Sequence, residues 1–295
     1  MPVLHLEKHG RIPDEEACKM LRFLEECYGR FRPRGLDLVD VDIFENDDLW
    51  HSHMAAERRR AGVTSADLDD AFIVAHDAWT GVPRISISLE RKQDMSQLVW
   101  DGALRHEVGH SILHGALEYY VLPTPSVLTK AAQEFPSLAS HLSNIVYLLA
   151  LSVKDAEVTR LVLSNGHVED QVAYARFVME ATEQDLQAWD ISSIAAEARV
   201  LCLVGRLKDI APAMVLASRP EISCLNLGEV EESLEYLPQE LRRALFETMT
   251  ETLNHLDKDT FTNIQTAAAV SVAKIVEPVM RTPSVVVDRR QLFSS

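Results

Sequence analysis

The chain has 295 residues, of which 47% are hydrophobic, so it can bury a sizeable core as one large domain or as two lobes around a cleft. Its 29 Lys and Arg residues are outnumbered by 45 Asp and Glu residues, giving a net charge of −16 at pH 7. Such a surface repels phosphate backbones and anionic lipids, which argues against nucleic acid and membrane surfaces as partners.

The cysteines and the N-terminal residues indicate the cellular compartment of the protein. The four cysteines are scattered without a Cys-x-x-Cys pair, which is typical of reduced thiols and not of a disulfide framework or a zinc ribbon. Residues 1–8 lack the basic start and apolar run of a secretory signal, and the longest apolar stretch, residues 145–153, is short for a bilayer span. We therefore expect a soluble, cytoplasmic protein.

Apolar periodicity and turn residues divide the first ninety residues into elements that suggest a small sheet with accompanying helices. The candidates are a helix over residues 14–28, a strand over 36–44, a polar helix from 47 to about 61, and strands over 71–76 and 84–89. The sheet formed by these strands would lie directly before the most informative part of the chain.

That part is a helix predicted over residues 95–117, with Asp94 and Ser96 as possible caps and Gly115 loosening its end. Within it, His106 and His110 are four residues apart, so both rings lie on one helix face and can reach one ion. Glu107 flanks them. This His-Glu-x-x-His spacing is typical of a zinc-dependent peptidase, and the alternative is an amphipathic helix whose histidines bond to polar neighbours.

The rest of the chain is predicted to be mostly helical. A long apolar helix over residues 137–164 ends at Asn165 and Gly166, and residues 167–280 are helical by period, with Pro212, Pro220 and Pro238 as divisions. We therefore predict three parts: an α/β lobe over residues 1–120, a helical lobe over 121–280 that carries a third metal ligand, and an extended tail over 281–295.

A catalytic zinc needs a third protein ligand besides two histidines. His114 continues the spacing of four, but the helix rises about 12 Å between residues 106 and 114, too far for metal bonds of about 2 Å. We therefore interpret His114 as a residue that lines or supports the site, or as a packed histidine. Asp155 and Glu157 are better candidates, because both lie in an apolar helix where a charge needs a partner.

These two carboxylates point about 200° apart around a helix, so only one should bind the metal directly. The alternative is that both form surface ion pairs, with Lys154 and Arg160 as the cations.

The sequence resembles the zincin superfamily of metallopeptidases, and within it the gluzincin-like groups in which a carboxylate on a later helix completes the site. The resemblance rests on residues 104–114 and, more weakly, on residues 144–161. It implies zinc ligation by His106 and His110, a general base at Glu107, and a third ligand at Asp155 or, second, at Glu157. The implied fold is α+β and zincin-like: a small mixed N-terminal sheet, an active-site helix and a mostly helical C-terminal part.

Two departures leave the subfamily unassigned. Gluzincins place an Asp four residues after the ligand Glu, whereas Thr and Leu occupy positions 159 and 161 here. The motif also lacks the Gly and third His by which metzincins extend it. Zincins further place an edge strand beside the metal-binding helix, where an extended peptide adds as a strand. Residues 85–89 are our candidate for that strand, with an interior strand as the equal alternative.

The function predicted from these features is zinc-dependent hydrolysis of peptide or protein substrates, in which Glu107 takes a proton from a metal-activated water. Candidate donors to the oxyanion are Tyr119, Tyr120, Arg160 and His167. Manganese or iron could replace zinc. Two alternatives are an inactive zincin-fold binding or regulatory protein and a metal-dependent hydrolase of other amides or esters.

Overall fold

The computed structural model describes residues 1–62 and 74–282. The chain divides into two compact units: the first comprises Met1–Leu122 with Glu157–Phe177, and the second comprises Pro123–Ala156 with the chain from Val178 onward. The predicted lobe over residues 1–120 thus corresponds to most of the first unit, which also takes a later segment. The tail predicted over residues 281–295 lies, beyond Thr282, outside the described residues.

The first unit contains a four-stranded mixed sheet, so the α+β prediction is confirmed. Its strands are β1 (Val3–His9), β2 (Leu38–Phe44), β3 (Val74–Asp77) and β4 (Arg84–Ser88), in the order β1-β2-β4-β3. Strands β1, β2 and β4 run parallel, and β3 pairs with β4 in the antiparallel sense. Strands β2, β3 and β4 match predicted strands, although positions 71–73 of the strand predicted over residues 71–76 lie outside the described residues. The sequence did not predict β1.

The two faces of this sheet differ in polarity because side chains alternate along each strand. One face presents apolar residues that are fully buried, namely Val39, Val41, Ile43, Ile85 and Ile87. The other face carries buried polar residues, namely Asp42, Arg84, Ser86 and Ser88. Helix α2 (Asp47–Ala61) packs against β2 and β4, and Glu57 of this helix forms an ion pair with Arg84 on the polar face.

The first unit also contains helices α1 (Asp14–Phe31) and α3 (Gln97–Leu113). Helix α3 is shorter than the predicted 95–117. Its N-cap is Ser96, whose side chain accepts a hydrogen bond from the Val99 amide. Its C-cap is His114, and a short 3-10 turn follows at Leu117–Tyr120. The helix that carries the histidine pair therefore ends three residues after His110.

The apolar helix predicted over residues 137–164 is α5 (Leu142–Ser164), preceded by α4 (Ser126–Glu134) and a 3-10 turn at Pro136–His141. The boundary between the two units crosses this single continuous helix between Ala156 and Glu157. The stretch Pro136–Ser164 is long and apolar enough to cross a membrane by length and composition. It is buried at Ile145, Leu149 and Val153, and one such helix in the described residues is weak evidence of a membrane span.

Later segments are helical, as predicted. They are α6 (Glu169–Met179), α7 (Glu183–Ser192), α8 (Ala196–Ala217), α9 (Leu227–Glu232), α10 (Gln239–Asn254), α11 (Thr260–Ser271), a π-helical turn (Val272–Val276) and α12 (Glu277–Arg281). Pro220 and Pro238 lie between helices, but the predicted division at Pro212 is wrong because Pro212 lies inside α8. Residues on both sides of it are fully buried, so packing maintains the helix despite the missing amide donor.

Candidate metal centre

The histidine pair of α3 is buried and is joined by a carboxylate from α5. His106 and His110 lie one helical turn apart, with ring centroids separated by 4.9 Å and exposures of 1% and 7%. One ligand atom each from His106, His110 and Asp155 lies within 4.8 Å of the other two. Two imidazole nitrogens and one carboxylate oxygen are a donor set that fits a catalytic zinc with one position left for water. The structure thus brings together the two histidines and the favoured third ligand.

The second candidate ligand, Glu157, has a different partner. Its Oε2 lies 2.8 Å from Nε2 of His114, which is fully buried at the end of α3. His114 in turn places its Nδ1 3.2 Å from Nδ1 of His110. His114 is therefore buried and also supports the site, which combines two of the roles considered for it from sequence.

This chain of hydrogen bonds assigns a tautomer to each ring. Because a carboxylate only accepts, His114 donates through Nε2 to Glu157, and its Nδ1 can then accept from Nδ1–H of His110. His110 is left with a lone pair on Nε2, the atom that can bind a metal. Histidine ligands are usually oriented in this way by a hydrogen bond to their second nitrogen.

Two glycines let neighbouring helices approach α3 at the site. A Cβ on Gly109, which lies between Glu107 and His110, would sit 2.6 Å from Val158 Cγ1 of α5. A Cβ on Gly102, two turns earlier, would sit 2.4 Å from the Asp170 carbonyl oxygen of α6. Since Val158 is three residues after Asp155, the absence of a side chain at Gly109 sets how closely Asp155 approaches the histidines.

We expect Gly109→Ala to weaken zinc binding and to lower the free energy of unfolding by about 1–3 kcal/mol, because Val158 is stiff and cannot turn aside. Zinc titration and thermal unfolding would measure both effects. Gly29→Ala in α1 is the matched control, since a Cβ there meets nothing within 4 Å. Adding Val158→Ala should restore zinc affinity to Gly109→Ala; failure of that rescue would show that this close contact does not position the third ligand.

Four further rings surround the ligands, two predicted and two not. Tyr119 meets His114 edge-on at 5.2 Å, and the Tyr120 hydroxyl lies 2.8 Å from Nδ1 of His76. The ring of His76 stacks at 6.0 Å from that of His110, while the ring of Tyr174 lies 4.9 Å from that of His106. Neither His76 nor Tyr174 was predicted from the sequence as a site residue. His76 could have been found, because it ends the strand predicted over residues 71–76.

The edge strand assigned to residues 85–89 requires correction. Strand β4 is interior, paired with β2 on one side and β3 on the other, and each of its five residues is buried. Within the described residues, β3 is the edge strand on this side of the sheet. The alternation of residues 84–89 indicated a strand but could not distinguish an edge, because that depends on which strand pairs beside it.

The two other predicted residues, Arg160 and His167, differ in their surroundings. Arg160 is partly exposed on α5. His167 packs edge-on against Phe31 at 5.8 Å. Burial lowers the pKa of His167 to about 4, and the charges of Arg105 and Arg30 act in the same direction. The described contacts of His167 therefore lie on the α1 side of α3 and do not support its predicted role as an oxyanion donor.

The sequence left an ion pair as the alternative role for Asp155, and in the second unit Lys208 is a cation that interacts with it. Burial alone lowers the pKa of Lys208 in α8, but Asp209 and, less strongly, Asp155 raise it above its ordinary value. Asp155 therefore interacts electrostatically with Lys208 and also belongs to the cluster with His106 and His110.

Comparison of the chain with models of protein families, with curated proteins and with solved structures gives no match.

Proposed function

We propose that this chain is a zinc-dependent peptidase. The observation that carries the proposal is the convergence of His106, His110 and Asp155 within 4.8 Å, with Glu107 next to the first ligand on the same buried helix. No one of these residues is informative alone. Together they provide three ligands, an acid–base group and a hydrogen-bonded support in His114 and Glu157, which is the set that metal-assisted hydrolysis requires.

In the proposed mechanism, a zinc ion held by the three ligands would supply Lewis acidity and lower the pKa of a bound water to about 7. Glu107 accepts a proton from the attacking water and later delivers it to the leaving amine. Among the four donors considered from sequence, Tyr120 is favoured for the oxyanion. Its hydroxyl lies 2.8 Å from Nδ1 of His76, whose ring stacks on that of the ligand His110, and it can donate to an oxyanion when Nδ1–H of His76 donates to it.

An extended peptide is the favoured substrate because β3 is the edge strand nearest this site in the chain as described. Backbone groups on the free side of an edge strand can hydrogen-bond to a peptide, which then adds as a further strand. His76 of β3 lies beside His110, so a peptide aligned on β3 would pass close to the ligands. This arrangement supports the zincin-like fold, which also belongs to the proposal.

Further parts of the proposal concern metal identity and compartment. Two imidazoles and one carboxylate suit zinc, and they would also accept manganese or iron. The negative surface continues to argue against nucleic acid and membrane partners. No disulfide bond joins any of the four cysteines, all of which lie in the described residues, and burial raises the pKa of Cys27 to about 12, so this thiol is protonated and unreactive. These features fit a cytoplasmic enzyme.

The proposal is tested by removing metal with a chelator, restoring it with Zn²⁺, and digesting a peptide library that is analysed by mass spectrometry. We expect cleavage by the zinc-loaded protein, loss with chelator and recovery with zinc. Zinc binding without cleavage of peptides, small amides or esters would favour an inactive binding or regulatory protein. Turnover of small amides or esters alone would favour a different hydrolase, and absence of metal binding would overturn the proposal.

A further inference from the structure

A second cluster of metal-ligating side chains lies on the polar face of the sheet. His9 is the last residue of β1, Asp42 belongs to β2, and His53 lies on α2, which packs over this face. One ligand atom from each of the three lies within 4.8 Å of the others. The cluster shares no residue with the centre on α3, and the proposed peptidase mechanism does not use it.

The spacing within this cluster fits a metal ion. His9 Nε2 lies 3.3 Å from Asp42 Oδ1, and the ring centroids of His9 and His53 are 4.4 Å apart. Two donor atoms bound tetrahedrally at about 2.0–2.2 Å from zinc are separated by about 3.3–3.6 Å. His9 and Asp42 therefore already stand at the distance that two ligands of one zinc ion would have.

The surroundings hold the ligands in place. Asp42 is 5% exposed, and its other oxygen, Oδ2, lies 3.7 Å from Nη1 of Arg84, which leaves Oδ1 directed to the cluster. The His9 ring stacks on Phe44 at 4.4 Å, so its orientation is set by a buried neighbour. Supports of this kind, acting on the second atom or the plane of a ligand, are characteristic of metal sites.

The local charge balance also permits a cation. Arg84 opposes one, but it forms ion pairs with Asp77 at 3.0 Å and with Glu57 at 3.1 Å in addition to its approach to Asp42. Glu7 adds a carboxylate oxygen 3.9 Å from His9 Nε2. The four carboxylates around one guanidinium and two imidazoles leave this face with excess negative charge when the histidines are neutral.

The same strands contain a natural comparison. His5 lies four residues before His9 in β1, and Asp40 lies two residues before Asp42 in β2, with His5 Nδ1 at 3.1 Å from Asp40 Oδ1. That pair is an ordinary surface contact, because the His5 side chain is 58% exposed and the pair belongs to neither of the metal-ligating clusters found in the described residues. The pair formed by His9 and Asp42 differs from it in two ways: it is more buried, and His53 of α2 lies beside it.

We propose that His9, Asp42 and His53 form a second site for a divalent transition metal of the Zn²⁺ class, with water or Glu7 in the fourth position. A metal there would link β1 to β2 and α2, which lie later in the chain. Because an ion that binds only the folded state stabilises it, zinc should raise the unfolding temperature through this site.

The test uses the full chain carrying His106→Ala and His110→Ala, which removes two ligands of the first centre, so the outcome does not depend on the proposed function. We expect calorimetric titration with Zn²⁺ to give one equivalent bound and a zinc-dependent rise in Tm. Adding His53→Gln should weaken binding at least 10-fold and abolish that rise. His5→Gln is the matched control and should leave both unchanged.

Circular dichroism and Tm without zinc would confirm that each variant folds. If the double-alanine background unfolds, the bulkier pair of changes His106→Gln and His110→Gln serves as an alternative background, and His9→Gln as a second ligand variant. Failure of the folded background to bind Zn²⁺ would overturn the inference. Equal affinity of the His53→Gln and His5→Gln variants would overturn it as well.

Discussion

Glu107→Gln is expected to reduce the rate of peptide hydrolysis by about 100-fold to 10,000-fold while leaving the zinc content unchanged. Glutamine preserves the size of a side chain that is buried beside His106, but its amide cannot accept the proton of the attacking water. The effect should fall on kcat and not on substrate affinity, because Glu107 is assigned to proton transfer and not to peptide binding. Rate measurements should be paired with metal analysis of the same samples.

Asp101→Asn is the matched control for this prediction. It makes the same change from acid to amide on the same helix, at a residue whose described contact is a hydrogen bond with Gln97 at the helix surface. It should retain full activity. A Glu107→Gln protein that cleaves peptides as fast as Asp101→Asn would show that Glu107 is not the general base, even if the metal ligands are correctly assigned.

Asp155→Ala is expected to cause the largest loss of zinc affinity among changes on α5, because it removes an atom assigned to the metal itself. Glu157→Ala should cost about 10-fold to 100-fold in affinity, the usual effect of removing a group that orients a ligand from outside. The difference follows from their contacts: Asp155 groups with His106 and His110, whereas Glu157 bonds to His114. Competition with a chromophoric zinc chelator would measure both.

His114→Ala provides an internal check on this second prediction. If Glu157 acts through His114, then His114→Ala and Glu157→Ala should weaken zinc binding to a similar extent, and the double variant should be little worse than either. Additive losses would mean that the two residues act separately. Equal zinc affinity in the Asp155→Ala and Glu157→Ala proteins would contradict the assignment of Asp155 as the third ligand.

Local sequence patterns were sufficient for most elements of the first unit. The helix of residues 14–28, the strand of 36–44 and the polar helix starting at 47 all correspond to observed elements, because each has a clear period and a clear stop. Strand β1 was missed since its residues are largely exposed, and its pairing partner begins 35 residues later, as the contact between His5 and Asp40 shows. Pairing between segments this far apart in the chain cannot be detected from a short stretch of sequence.

The sequence by itself determined that two histidines and a glutamate lie within one turn of a helix, since their spacing depends only on helix geometry. It also limited the third ligand to Asp155 or Glu157. The tertiary structure favours Asp155, because Asp155 groups with His106 and His110 whereas Glu157 bonds to His114. It alone brought His76 to the site and joined His9, Asp42 and His53, since each grouping needs strands and helices far apart in the chain to pack together.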